Sequence, residues 1–344
     1  MAWGKGDAGE ETDRALRRSL RAAVAGDWAT AETWLERIVE ANSKDLDAYQ
    51  ALARLYREQG SIGRAIRMHQ NLILRSDVPR ASRDEALLEL ARDFDEGGFR
   101  ERAISAYEEV LSAKPREALA LERLSVLLRE TQDVPRALAV LKKFRRRDKD
   151  KANALEAKVH LDHAQACAAT GDDDGARAAL KKCLKRDPAC GDAWAMLGEL
   201  EAERGKTARA LDAWKKAVAS SPENAEAIYP KIDASFAAKG KPDGFIAYLR
   251  DVLKEDPSRH SARVILARAL SSKGDAREAV EELARAIEVM PDATELHAEL
   301  GRQLLASGQE GEALKAYAKL VDVLGGDAGR GSSAAAAEAE EGAS

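Results

Sequence analysis

The stretch VHLDHAQACA, residues 159–168, spaces His160, His163 and Cys167 at i, i+3 and i+7. On a helix those three side chains share one face, and imidazole and thiolate are the ligands that zinc prefers. A metal on that face would also need an open coordination geometry and partners that orient the ligands. The competing reading is that the three residues fill packing positions. Which of the two holds depends on the elements that carry them.

Other groups resemble chemical sites less closely. GDDDGAR at 171–177 lacks the alternating spacing of a calcium-binding loop, and its acids suit the start of a following helix. GDAGRGSS at 326–333 has the glycines of a phosphate-binding loop but no lysine. His69, His260 and His297 pair with no serine or cysteine arrangement that would make a triad, so they read as surface or packing residues. The run KKFRRRDKDK at 142–151 concentrates cations, as a solvated helix C-terminus favoured by the helix dipole would. RNA binding would need aromatic platforms or a basic stripe through several elements, and neither continues.

Composition points to helices. The chain has 344 residues, 45% hydrophobic but only 5% aromatic, with 33% charged and 9 prolines, a profile of small-residue helix packing. A net charge of −5 gives no global attraction to nucleic acid or an anionic membrane. The opening MAWGKGDAGEETDRALRRSL has no apolar core of a secretory signal, and no stretch approaches eighteen apolar residues. A cytoplasmic location is therefore expected, with no direct membrane insertion. Cys167, Cys183 and Cys190 form no CxxC and fit reduced thiols.

The elements repeat. In DAWAMLGELEAERGKTARALDAWKKAVASSP, Trp194, Leu197 and Gly198 open one amphipathic helix and Gly205 ends it; Ala210, Trp214 and Ala217 stripe a second helix before Pro222. That is the tetratricopeptide pattern with its period of 34. It returns through Leu90, Ala91, Phe94, Gly98, Ala103, Tyr107 and Pro115, and through Leu266, Ala267, Leu270, Gly274, Ala279, Leu283, Ala286 and Pro291. The spacing divides the chain into 12–45, 46–79, 84–117, 118–151, 157–190, 191–224, 226–259, 260–293 and 294–327, with insertions at 80–83, 152–156 and residue 225. The expected fold is all-α, a right-handed superhelical solenoid of about nine helix-turn-helix units. A pair of helices about 20 Å long cannot bury its apolar stripe alone, so neighbours must stack. Residues 1–11 are expected to be flexible, 12–327 to form the repeats, and the low-complexity 328–344 to be disordered. Two repeats depart from the pattern. Gln132 replaces a turn glycine in one; in the other, Phe245 replaces the small alanine and Pro230 falls inside a helix, which predicts distortion over 226–245.

On this ruler His160, His163 and Cys167 take the Trp, Leu and Tyr packing slots of their repeat, so the face reads as packing, with no metal and no cofactor expected. With the repeats occupying most of the chain, no room is left for a catalytic constellation, and the chain is not expected to be an enzyme. Proteins are the expected partners and nucleic acid is not. First helices line the concave surface in this architecture, which makes Gln50, Arg54, Arg57, Arg92, Asp95 and Arg129 candidate partner contacts, with Arg268 and Arg302 continuing the arginine theme. Internal pairing of these arginines with glutamates on a solvated face is the equal alternative.

GRAIRMHQNLI at 63–73, followed by LARDFDEGGFRERAISAYEEVL at 90–111, resembles the bacterial lipopolysaccharide assembly protein B family, with the His69-Gln70 pair after Arg67 its most distinctive element. The resemblance extends over about 12–327. It implies an adaptor acting with a membrane protease to control an enzyme of lipid A synthesis, the deacetylase that commits it. The N-terminal membrane anchor and C-terminal four-cysteine rubredoxin-like domain of that family are not expected in this sequence. A generic scaffold subunit of another complex, or an RNA-binding helical repeat, are the alternatives.

Overall fold

The computed structural model describes residues 8–42, 44–241 and 243–341. Among the described residues there are eighteen α-helices and no strand, two helices for each expected repeat. The chain divides into two compact units, Met1–Gly171 and Asp172–Ser344. The first holds α1 (Ala8–Val24), α2 (Trp28–Ala41), α3 (Leu46–Glu58), α4 (Ile62–Leu74), α5 (Arg80–Glu96), α6 (Arg100–Ala113), α7 (Ala118–Glu130), α8 (Val134–Phe144) and α9 (Lys149–Ala169). The second holds α10 (Asp173–Arg186), α11 (Gly191–Glu203), α12 (Thr207–Ser220), α13 (Ala225–Ala238), α14 (Asp243–Glu255), α15 (His260–Ser272), α16 (Ala276–Val289), α17 (Thr294–Ala306) and α18 (Glu310–Glu341).

The small-residue slots do what close helix packing requires. A Cβ on Gly198 would lie 2.3 Å from Trp214 Nε1, and one on Gly301 would lie 2.6 Å from the Tyr317 ring, so the second-helix aromatic rests directly on first-helix backbone. The turn glycines Gly98, Gly205 and Gly274 all have positive φ, as do Gly26, Gly60, Gly171, Gly240 and Gly308 at the same place in other repeats. Gln132 holds the same left-handed conformation at φ +60°, because the turn needs it whatever residue stands there.

Insertions are absorbed as extra helix. Residues 80–83 form the first turn of α5, and 152–156 lie within the 21-residue α9. Four or five residues make little more than one turn, which lengthens a helix without changing its connection. The distortion expected at 226–245 does not break a helix: α13 runs unbroken through Pro230 after a one-turn 3-10 helix at Pro222–Asn224. Tyr229 and Ile232 on either side are fully buried, and that packing offsets the backbone bond that proline removes. Phe245 is buried in the core beside them. α1 starts at Ala8, and 1–7 lie outside the described residues. At the other end α18 runs to Glu341, and 342–344 lie outside the described residues.

Among the described residues of the first unit, one apolar cluster runs from Ala15 to Ala65 and another from Leu90 to Val159. Buried charge lies between them.

Candidate functional site

Three of the expected contacts converge there. α3 carries Arg54 and Arg57, and α5 carries Arg92, with Asp45 starting α3 by accepting from the Ala48 N–H at 3.0 Å. Arg57 is 4% exposed and donates to Glu89 Oε2 at 2.7 Å and to Asp93 Oδ1 at 2.9 Å, with Glu96 3.6 Å away. Asp93 also meets His69 Nδ1 on α4 at 2.5 Å; both side chains are completely buried. His69 Nε2 has no hydrogen-bond partner. At the outer side of this cluster Arg54 reaches Glu89 at 3.3 Å and Glu85 at 3.5 Å, and Arg92 reaches Glu89 at 3.4 Å. Burial pushes the Glu89 carboxyl up, but the Arg57 hydrogen bond and the charges of Arg57, Arg92 and Arg54 outweigh it, so Glu89 titrates below the ordinary glutamate range.

The other expected contacts lie apart from this cluster. Asp95 accepts from Arg123 Nε at 2.7 Å, Arg123 Nη2 at 3.0 Å and the Tyr107 hydroxyl at 3.2 Å. Arg129 faces Asp162 of the next repeat at 3.6 Å, and Gln50 is half-buried. Arg57 and Asp95 therefore do not present side chains to solvent as expected. Each is held between successive first helices, where pairing of carboxylate with guanidinium fork offsets part of the cost of burial. Arg54 and Arg92 keep substantial exposure. The second unit repeats the arrangement: Glu299 on α17 accepts from Arg268 Nε on α15 at 3.0 Å and forms an ion pair with Arg302 at 2.9 Å, in the same register as Glu89 with Arg54 and Arg92.

The sequence carries a signal for the buried cluster. His69 stands at the second-helix slot filled by Tyr107, Trp214 and Tyr317 in other repeats, and Asp93 stands where Leu55, Leu127 and Leu200 stand in theirs. A titratable residue at an apolar slot in two adjacent repeats marks a buried pair.

The histidine face of α9 is not a cluster. His160 is buried with its Nε2 3.9 Å from Glu156, whereas half-buried His163 sits 3.8 Å from the Cys167 sulfur. Among the described residues no three side chains of metal-ligating type come together. No described helix is long and apolar enough to cross a membrane.

The model described as tetratricopeptide repeat matches residues 88–154, 161–225 and 196–260, and one described as bacterial transcriptional activator domain matches 250–341. With eighteen helices in the repeat register, the chain is an all-α tetratricopeptide-repeat protein, and that fold serves as a scaffold for protein interactions. Within that class it is similar to lipopolysaccharide assembly protein B of Escherichia coli (strain K12), 23% identical over 280 residues, which are 81% of this chain and 72% of that protein. The protein of the same name from Haemophilus influenzae is 24% identical over 215 residues, 62% of this chain and 54% of its own. A solved tetratricopeptide repeat protein from Parabacteroides merdae aligns over 86% of this chain and all of its own length, at 15% identity and a TM-score of 0.43.

Proposed function

We propose that this chain is a protein-binding adaptor in lipopolysaccharide assembly that holds a client against the first-helix face of its N-terminal repeats. The observation that carries the reading is where the likeness falls. The segments at 63–73 and 90–111 that resemble lipopolysaccharide assembly protein B meet in space, through His69 and Asp93, beneath exposed Arg54 and half-buried Arg92. The buried cluster fixes the two helices; the arginines above it, with Gln50 and Arg129, meet the client. Arginine suits this role because its planar fork pairs with carboxylates while its stem packs.

The mechanism is effective concentration: one repeat surface holds the client beside a second protein, a membrane protease by the resemblance, with no chemistry of its own. Deleting the gene in its host and following the lipid A deacetylase by immunoblot tests the reading, since loss of an adaptor for proteolysis raises that enzyme's level and half-life. Unchanged level and half-life would leave a scaffold for another complex. Combined Arg54→Ala, Arg92→Ala and Arg129→Ala should weaken client capture by about 1 to 3 kcal/mol per hot spot without changing helicity. Unchanged capture would move the contact to another face.

A further inference from the structure

The first unit carries a patch of charge that its own fold does not use. In residues 142–151 seven Lys and Arg stand against two Asp, around the connection from α8 to α9. Lys142 and Lys143 lie in the last turn of α8, where the helix dipole favours cations. Arg145 is bound to Glu156 and Lys151 to Glu122 at 2.6 Å, while Asp148 caps α9 by accepting from the Lys151 N–H at 2.9 Å. That leaves Arg146, Arg147 and Lys149, all exposed and in no ion pair among the described residues. Lys149 is the first residue of α9, the helix end at which the dipole disfavours a cation. Local physics explains the flanking cations and works against this one.

The connections of the unit place more cations with it. Each even helix ends, and the next odd helix begins, on one edge. On that edge the α6–α7 connection presents Lys114 and Arg116, both exposed, and the end of α4 presents Leu74 at 83% exposure. An isolated exposed leucine is ordinary on a protein surface. A leucine on the cationic edge has a specific use, because an anionic headgroup layer over hydrocarbon takes both kinds of side chain. Within 142–151 the one aromatic, Phe144, is buried and offers bases nothing to stack on; Tyr49, farther along the edge, is half-buried with the Arg75 guanidinium 5.6 Å from its ring centroid.

We propose that this edge of the first unit docks peripherally on an anionic lipid bilayer, Arg146, Arg147 and Lys149 meeting headgroup phosphates and Leu74 entering the interface. The proposal stands without the client-binding reading.

Co-sedimentation of the full chain with phosphatidylcholine vesicles, and with vesicles that also contain phosphatidylglycerol, tests it. Binding is expected only to the second, weakening as salt is raised. At roughly 1 kcal/mol for each cation near an anionic surface, combined Arg146→Gln, Arg147→Gln and Lys149→Gln should lower the partition coefficient on the order of 100-fold. Leu74→Ser should lower it about tenfold. All four positions are exposed, and an unchanged helical circular dichroism spectrum confirms that the variants fold. Equal sedimentation of wild type and the triple variant, or no binding to anionic vesicles, overturns the proposal. If poly(U) binds as tightly as those vesicles and Leu74→Ser has no effect on them, the patch takes nucleic acid and the lipid reading falls.

Discussion

Arg57→Ala removes the one guanidinium buried between two buried carboxylates, and its cost can be worked from the contacts. The side chain makes charge-assisted hydrogen bonds of 2.7 and 2.9 Å to Glu89 and Asp93. Removing one partner of a buried pair costs about 3–5 kcal/mol, because the remaining charge stays desolvated. Here each carboxylate keeps other partners: Glu89 keeps Arg54 and Arg92, and Asp93 keeps His69. The lower end of the range, about 3 kcal/mol, is therefore expected. Arg54→Ala is the internal control, since its side chain is 48% exposed and its pairing with Glu89 is worth at most about 1 kcal/mol. Repeat proteins open locally, so hydrogen exchange read by mass spectrometry on peptides of α3, α4 and α5 is the suitable assay. A loss of about 3 kcal/mol speeds exchange there by roughly 100-fold, at about 1.4 kcal/mol for each factor of ten. Equal effects of Arg57→Ala and Arg54→Ala would refute the account of Arg57 as the neutralising charge of the core.

Gln132→Gly should stabilise the fourth repeat by about 0.5–1 kcal/mol, because the left-handed turn at φ +60° strains any side chain with a Cβ; an unchanged or lower urea midpoint for α7 and α8 would count against it. Gly198→Ala should destabilise by about 1–3 kcal/mol, since the new Cβ meets the rigid Trp214 ring, and a thermal scan that shows no loss would show that the two helices can part. Acid should weaken the second and third repeats. Glu89 is held below its ordinary range in the folded chain, so its contribution is full above about pH 4.3 and is lost as pH falls through the lower folded value. Urea midpoints for α3–α5 should fall more steeply below pH 4 in wild type than in Glu89→Gln, and parallel curves would remove Glu89 from the explanation.

Period, helix count and turn positions were readable in the residues themselves. They depend on local rules: apolar spacing selects helix, glycine accepts the left-handed turn, and alanine or glycine permits close approach. Even Gln132 could be placed in its turn by counting alone. The assignment of Arg57 and Asp95 was not readable in that way. Surface or interior for a long charged side chain is decided by what the next repeat puts opposite it, about 30 residues away; the 34-residue period marks Asp93 and His69 as polar residues at apolar slots, but only the packed helices show that Arg57 is the cation they take. The α9 face makes the same point from the other side. Helical spacing puts His160, His163 and Cys167 on one stripe, yet packing sends His160 toward Glu156 in the interior and leaves the other two half-buried. Shared angular position is a property of one helix, whereas convergence on a site needs a neighbour's atoms, and only the tertiary structure supplies those.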